Sequence, residues 1–181
     1  MLIPLSRAKP LLGISMDSDP SDDLLLISAL QAASTAIQNF LKRDLEYGTY
    51  KQTLDAPDTP FLRLKNYPIH AVNSLEHRSM TVAAESYDIE TDNGMLFRRD
   101  GWGCGERVIK VEYVAGYILP SDIPGVPEST LPANIEYACA LLAQTLMRQP
   151  GVTAERVGDL SVNYKDDGGD LPGVVKALLM R

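Results

Sequence analysis

The chain has 181 residues, is 45% hydrophobic and carries a formal net charge of −7. That suffices for one domain with an ordinary apolar core, and it argues against a protein that wraps DNA by broad phosphate neutralisation. Two cysteines, Cys104 and Cys139, are too few for a disulfide framework and read as free thiols of a protein made in the cytoplasm. No uninterrupted apolar run approaches the roughly 20 residues that span a bilayer, and Met1-Leu-Ile-Pro lacks the basic start of a secretory signal, so a soluble protein with no membrane partner is expected.

The first strong element opens at Asp19-Pro20-Ser21-Asp22-Asp23. Asp19 can cap, Pro20 suits the first helical position, and the next two carboxylates favour the positive helix end. Leu26, Leu30, Ala33, Ile37 and Phe40 recur at helical spacing, with Lys42 and Arg43 near the negative end, which predicts a helix over 20–45. A second stripe of Ala29, Ala32 and Ala36 is expected to admit another helix closely.

Between 48 and 115 the pattern becomes short β-branched and aromatic runs: 50–54, 61–64, 69–75, 87–91, 95–98 and 108–114. Asp92-Asn93-Gly94 marks a hairpin turn, because Asn and Gly tolerate positive φ. The middle therefore reads as a small antiparallel β unit.

Four prolines between Pro120 and Pro132 predict an extended linker. Pro132 then starts a second helix running to about 148, with Ile135, Ala138, Leu142 and Leu146 on one face and Ala138, Ala140 and Ala143 as small residues, expected to pack on the first. Residues 159–164 alternate Leu160, Val162 and Tyr164 like a strand, 165–170 form a turn, and Asp170 is expected to cap a last helix over 171–180 with Val174, Val175, Leu178 and Leu179 apolar. The fold class is α+β: a helical scaffold of two long packed helices plus short terminal helices, with an inserted small antiparallel β unit. The organisation is one domain over 1–181, an inserted β subdomain over 48–117 and a C-terminal segment over 152–181. Pro and Gly breaks set off residues 1–17 and 152–181, which are expected to order only on docking.

Candidate chemistry is sparse. Gly101-Trp-Gly-Cys-Gly-Glu precedes a strand rather than a helix, so it reads as a β tip rather than a phosphate loop, with Trp102 covering a local core. Asp17, Asp19, Asp22 and Asp23 lack the ligand spacing of a calcium loop, as does Lys165-Asp-Asp-Gly-Gly-Asp. His70 and His77, seven apart in a β region, would face opposite sides of a strand and share no metal. No nucleophile elbow or Cys-His arrangement is present. Arg98, Arg99 and Arg107 form a modest basic patch, read as ordinary solvated charge. No catalytic residue, metal ligand or cofactor is expected.

Three stretches carry a family resemblance. Near the N-terminus, Leu5-Ser-Arg-Ala-Lys-Pro-Leu-Leu-Gly precedes Ser21-Asp-Asp-Leu-Leu-Leu-Ile and a helix ending Asn39-Phe-Leu-Lys-Arg-Asp. In the middle, Phe61-Leu-Arg-Leu leads through Tyr67-Pro-Ile to Val111-Glu-Tyr-Val-Ala-Gly-Tyr. The last part has Leu131-Pro-Ala-Asn-Ile and Arg156-Val-Gly-Asp-Leu-Ser-Val-Asn-Tyr. In order and local flavour the chain resembles the head-tail connector (adaptor, or head completion) proteins of long-tailed bacteriophages.

The resemblance implies a structural virion protein of the neck. It would form a homo-oligomeric ring, typically dodecameric, beneath the portal protein, dock the next neck or tail completion protein, and pass double-stranded DNA without sequence-specific binding. It further implies portal contact through Gly158, Asp159, Leu160, Ser161, Val162, Asn163 and Tyr164 and the tail including Leu178 and Arg181. A short alternating strand there could add to a partner's sheet edge or pair within its own subunit. The Pro-rich stretch 120–130 is longer than the family pattern. Three other readings rank lower: a tail terminator expects a sheet-dominated core, a small hydrolase needs a polar pocket with perturbed groups, and a DNA-binding regulator needs a basic recognition helix.

Overall fold

The computed structural model describes residues 1–17, 19–147, 154–157, 160–163 and 171–180, with backbone alone at 154–157 and 160–163. The chain runs α1 (Leu5–Leu11), α2 (Pro20–Leu41), β1 (Gly48–Pro57), β2 (Phe61–Arg63), β3 (Ile69–His77), β4 (Met80–Thr81), β5 (Asp88–Glu90), β6 (Met95–Phe97), β7 (Cys104–Ala115), α3 (Ala133–Met147), β8 (Ala154–Val157), β9 (Leu160–Asn163) and α4 (Gly173–Leu179). The fold is α+β. It divides into two compact units, a helical one of Met1–Leu41 with Leu119–Arg181 and a β unit of Lys42–Ile118.

In the helical unit α2 begins as its sequence dictates. The Asp19 carbonyl accepts from the Asp22 and Asp23 amides at 3.0 and 3.2 Å, and its carboxylate accepts from the Ser21 amide at 2.8 Å. The Ser21 hydroxyl and amide bonds hold the Asp19 carboxyl below the usual carboxylate range. Leu26, Ala29, Leu30, Ala33 and Ile37 face inward, and α3 contributes Ile135, Ala138, Cys139, Ala140, Leu142 and Ala143. With such small side chains the helices approach until Ser34 Oγ lies 3.5 Å from Cys139 Sγ. The stripe predicted at Ala29, Ala32 and Ala36 is only partly used. Ala32 is exposed, because the contact follows Leu30, Ala33 and Ile37 and Ala32 sits about 100° round the helix from Ala33. Leu146, expected on the inner face of α3, is half exposed at its end.

Of the first 17 residues, read as ordering only on docking, those from Leu2 to Lys9 pack into this core, while 10–17 are exposed or half-buried. Leu2, Ile3 and Ala8 are buried, and the Leu2 amide donates to Ser34 Oγ at 2.9 Å. Lys9, almost fully buried, reaches the Asp23 carboxylate at 2.8 Å and the Met16 carbonyl at 3.2 Å, tying α1 to α2. Residues 120–132 carry no helix or strand. The last helix starts at Gly173 with Pro172 as its N-cap and no side-chain cap; Asp170 lies outside the described residues.

α2 stops at Leu41, short of the predicted 45, because Lys42 turns left-handed at φ 55°. In the β unit Arg43 is consequently not a helix-end charge. Its guanidinium stacks 3.5 Å from the Tyr67 ring centroid and donates to the Tyr67 carbonyl at 2.8 Å, just before the cis Tyr67–Pro68 bond.

Two antiparallel sheets make the β unit, one ordered β1-β7-β3-β4 and one β2-β6-β5. β7 is central, with Gly48 opposite Ala115 and Leu54 opposite Ile109 on one side and Leu75 opposite Val111 on the other. The predicted turn joins β5 to β6, where Gly94 adopts φ 68° and its amide donates to the Glu90 carbonyl at 3.1 Å. Leu62, Leu64 and Leu96 pack with Leu75, Ile109, Val111 and Tyr113 in one core. Trp102 fills it, fully buried, with Nε1 donating to the Pro60 and Leu96 carbonyls at 3.0 and 3.3 Å. β4 is an addition, a two-residue strand that the sequence pattern leaves unassigned.

Candidate functional site

The Val111–Tyr117 motif is structural. Tyr113, buried, donates its hydroxyl to Gln52 Oε1 at 2.7 Å and accepts from the Asn66 amide at 3.1 Å; burial pushes its phenol up. Gly116 adopts φ 97° where a β-carbon would lie 2.3 Å from the Glu46 carbonyl oxygen, so only glycine lets the two backbones meet. Across that approach Tyr117 donates to the Leu45 carbonyl and accepts from the Tyr47 amide, both at 2.7 Å. His70 Nε2–H donates to the Gly116 carbonyl at 2.8 Å.

The C-terminal residues expected to dock are distributed over two elements. Leu160, Ser161, Val162 and Asn163 form β9, which pairs antiparallel with β8 in the same chain, Ala154 opposite Asn163 and Val157 opposite Leu160. β8 escapes the sequence reading, although Gly158-Asp159 between two short runs is a two-residue hairpin signal. Gly158, Asp159, Tyr164 and Arg181 lie outside the described residues. Leu178 belongs to α4, whose Val175 and Leu179 are buried while Val174 and, just past the helix, Met180 are exposed. Its carbonyl accepts from Asn134 Nδ2 at 2.7 Å, clamping α4 to the start of α3.

Two concavities offer no reaction chemistry. A groove of about 350 Å³ on the polar face of the larger sheet is lined by Lys51, Glu76, Lys110 and Glu112. Its charges balance, with Lys51 and Glu112 paired at 2.9 Å. A smaller hollow of about 230 Å³ lies against Ile14, Leu26 and Met147, with Asp22 and Asp23 at its wall and Asp23 already paired with Lys9. Among the described residues no group of three or more His, Cys, Asp or Glu could hold a metal. Cys104 is exposed and Cys139 buried, both unpaired by disulfide. α2 corrects the sequence reading of apolar runs. It is long and apolar enough by composition to cross a membrane, because Ala, Ser and Thr between the leucines add little polarity. Its inner stripe is the interior of the helical unit, which is also what makes a core helix apolar.

The end of the β unit where Pro57 and Cys104 pair, opposite the end where Gly48 and Ala115 pair, holds an arrangement that spacing along the chain does not reveal. Arg78, from the β3–β4 turn, donates Nη2–H to the Cys104 carbonyl at 2.7 Å. The Arg98 guanidinium lies 5.6 Å from the Trp102 ring centroid. Nearby, His77 Nε2 is enclosed with no hydrogen-bond partner among the described residues, and burial together with the Arg78 and Arg98 charges holds this histidine below its ordinary value.

The family pattern of head completion proteins matches residues 5–180. This chain belongs to the head completion protein family. No curated protein matches it in sequence. Its fold is similar to that of a chain in the neck of an empty gene transfer agent particle computed with C6 symmetry, with TM-score 0.61, 19% identity, and coverage of 98% of this chain and 87% of that one. It is equally similar to a chain of the native gene transfer agent virion, with TM-score 0.61, 19% identity, and coverage of 99% and 88%. A chain in the neck of the native particle computed with C12 symmetry matches with TM-score 0.59, 16% identity, and coverage of 98% and 88%. At such identity these likenesses show a shared fold.

Proposed function

We propose that this head completion protein is a non-enzymatic adaptor of the virion neck, assembled as a ring beneath the portal, where it joins the DNA-filled head to the tail and extends the DNA channel. The observation that carries the reading is the family match across residues 5–180, on a fold shared with chains from particle necks computed with C6 and C12 symmetry. A twelve-membered ring is the number we propose. Residues 158–164, with α4 and the terminal Arg181, are the proposed portal contact. The open backbone edge of a two-stranded ribbon such as β8–β9 suits strand addition to a partner sheet. The partner on the other face would be the next neck or tail completion protein. A net charge of −7 suits a channel wall along which DNA slides, since broad attraction to phosphates would retard it.

Light scattering on the purified protein, alone and mixed with portal assemblies, tests this. A ring, or a monomer that joins portals and loses that ability when Leu160 and Val162 are both changed to Asp, is the expected outcome. A folded monomer indifferent to portals would overturn it.

A further inference from the structure

The end of the β unit bearing Pro57 and Cys104 is the most strained backbone of the described chain. Five residues other than glycine have positive φ, and four of them are here: Asp58 at 52°, Arg78 at 52°, Ser79 at 64° and Arg107 at 52°. His77 pairs with Met80 across a two-residue turn, a position that normally selects Asn-Gly, yet Arg78 and Ser79 occupy it. Arg107 sits in a bulge of β7, where the three residues Glu106 to Val108 oppose the single Asp55, and its amide is held by the Asp55 carboxylate at 2.6 Å. Left-handed conformations at side-chain-bearing residues are costly and cluster at active sites, ligand clamps and switch regions. Here one of the four, Arg78, presents its guanidinium to the Cys104 carbonyl.

Arg78, Arg99 and Arg107 are exposed and Arg98 half-buried. Among the described residues, ion pairs are formed by Arg7, Lys9, Lys51 and Lys65, and by none of these four arginines. Arg78 and Arg98 are instead fixed by the Cys104 carbonyl and the Trp102 ring, which orient a guanidinium without neutralising it. The same end carries Asp55, whose carboxylate is taken up by the Arg107 amide, and Asp58, Asp100 and Glu106; guanidinium forks that are fixed there outside any ion pair suit phosphate oxygens, which they bind in bidentate fashion.

We infer that this end of the β unit is a phosphate-binding surface, in which Arg78 and Arg98, supported by Arg99 and Arg107, contact the backbone of double-stranded DNA. The inference rests on the neck reading only for the presence of DNA. Contacts of this kind position a duplex without reading its sequence. Two to four per subunit bind weakly alone and add up when subunits are arrayed around one duplex. Such a surface also localises attraction to one level of a channel whose remaining charge is repulsive.

The two histidines make the test internal. His77 lies beside Arg78 and Arg98, while His70, at the other end of β3, is held by Gly116. The proton NMR titration of both rings would be followed on the full chain, alone and with a short mixed-sequence DNA duplex, inorganic phosphate or portal assemblies. The duplex should raise the His77 midpoint, because an anion on the guanidinium groups offsets the charges that hold it down, and leave His70 in place. Arg78→Gln with Arg98→Gln should abolish the DNA-induced shift and reduce the salt dependence of duplex binding by about two counterions, whereas Arg78→Lys with Arg98→Lys should keep most of it. A His77 midpoint unmoved by the duplex overturns the proposal. So does a shift produced only by inorganic phosphate or only by portals, or an equal shift of both histidines. Portal joining by the Gln variants, read by light scattering on the same samples, separates loss of this surface from failure of the adaptor reading.

Discussion

Gly116 and Glu46 meet backbone to backbone: a β-carbon on Gly116 would fall 2.3 Å from the Glu46 carbonyl oxygen. The contact fastens residues 45–47 to the end of β7 through the Leu45, Tyr47 and Tyr117 hydrogen bonds. Gly116→Ala should therefore combine a disfavoured φ with a clash against backbone that cannot rotate away. A loss of about 3 kcal/mol or more is expected, read as a lowered urea midpoint. Gly103→Ala, at φ 64° with open space around it, should cost only about 1 kcal/mol. Equal losses at the two sites would refute the close-approach explanation.

Lys9 and Asp23 should respond unequally to mutation. Asp23→Ala strands a nearly buried ammonium, and about 2–3 kcal/mol of destabilisation is expected, below the range for a fully buried pair because a quarter of the Asp23 side chain is exposed. Lys9→Met replaces the charge by an apolar chain of similar length and should cost less than about 1 kcal/mol. Thermal unfolding of the two variants checks the order, and a Lys9→Met protein that is the weaker of the two would contradict it.

The cysteines should separate in a thiol-reagent assay. Cys104 is exposed, while Cys139 is buried against Ser34 and the Leu30 carbonyl, and burial pushes its thiol up. One thiol should react quickly in the native protein and the second only in denaturant. Two fast thiols in the folded chain would mean that α2 and α3 do not close over Cys139.

His77 gives the stability a pH dependence of known sign. Its folded value is depressed below 6.5 by burial and by Arg78 and Arg98. The unfolded chain therefore takes up this proton at a higher pH than the folded one. The contribution of His77 is fully present above pH 6.5 and is lost as pH falls from 6.5 through the folded value. His77→Gln should remove that slope from the urea midpoint measured against pH. An unchanged slope in the His77 variant would show that the ring titrates as it does in the unfolded chain.

The elements and their class were written locally. Asp19 and Pro20 open α2, the Leu26 to Ile37 spacing fixes its inner face, Asp92-Asn93-Gly94 closes a hairpin, and small residues mark where α2 and α3 meet. Each depends on neighbours within a few positions, which is what periodicity and turn chemistry report. The order of the Val-Ala-Gly-Tyr and Val-Gly-Asp-Leu stretches likewise carried the family resemblance.

What only the tertiary structure decided involves partners distant in sequence. Whether residues 2–9 are part of the core depends on Leu2 meeting Ser34 and Lys9 meeting Asp23. Arg43 became a clamp on Tyr67 because Lys42 turned left-handed and aimed it there. Arg78 lies far along the chain from the patch of Arg98, Arg99 and Arg107, and the β3–β4 turn brings it to the same end of one unit. Local sequence sets the shape of a segment, but the environment of a charge is set by whichever segments the core brings beside it.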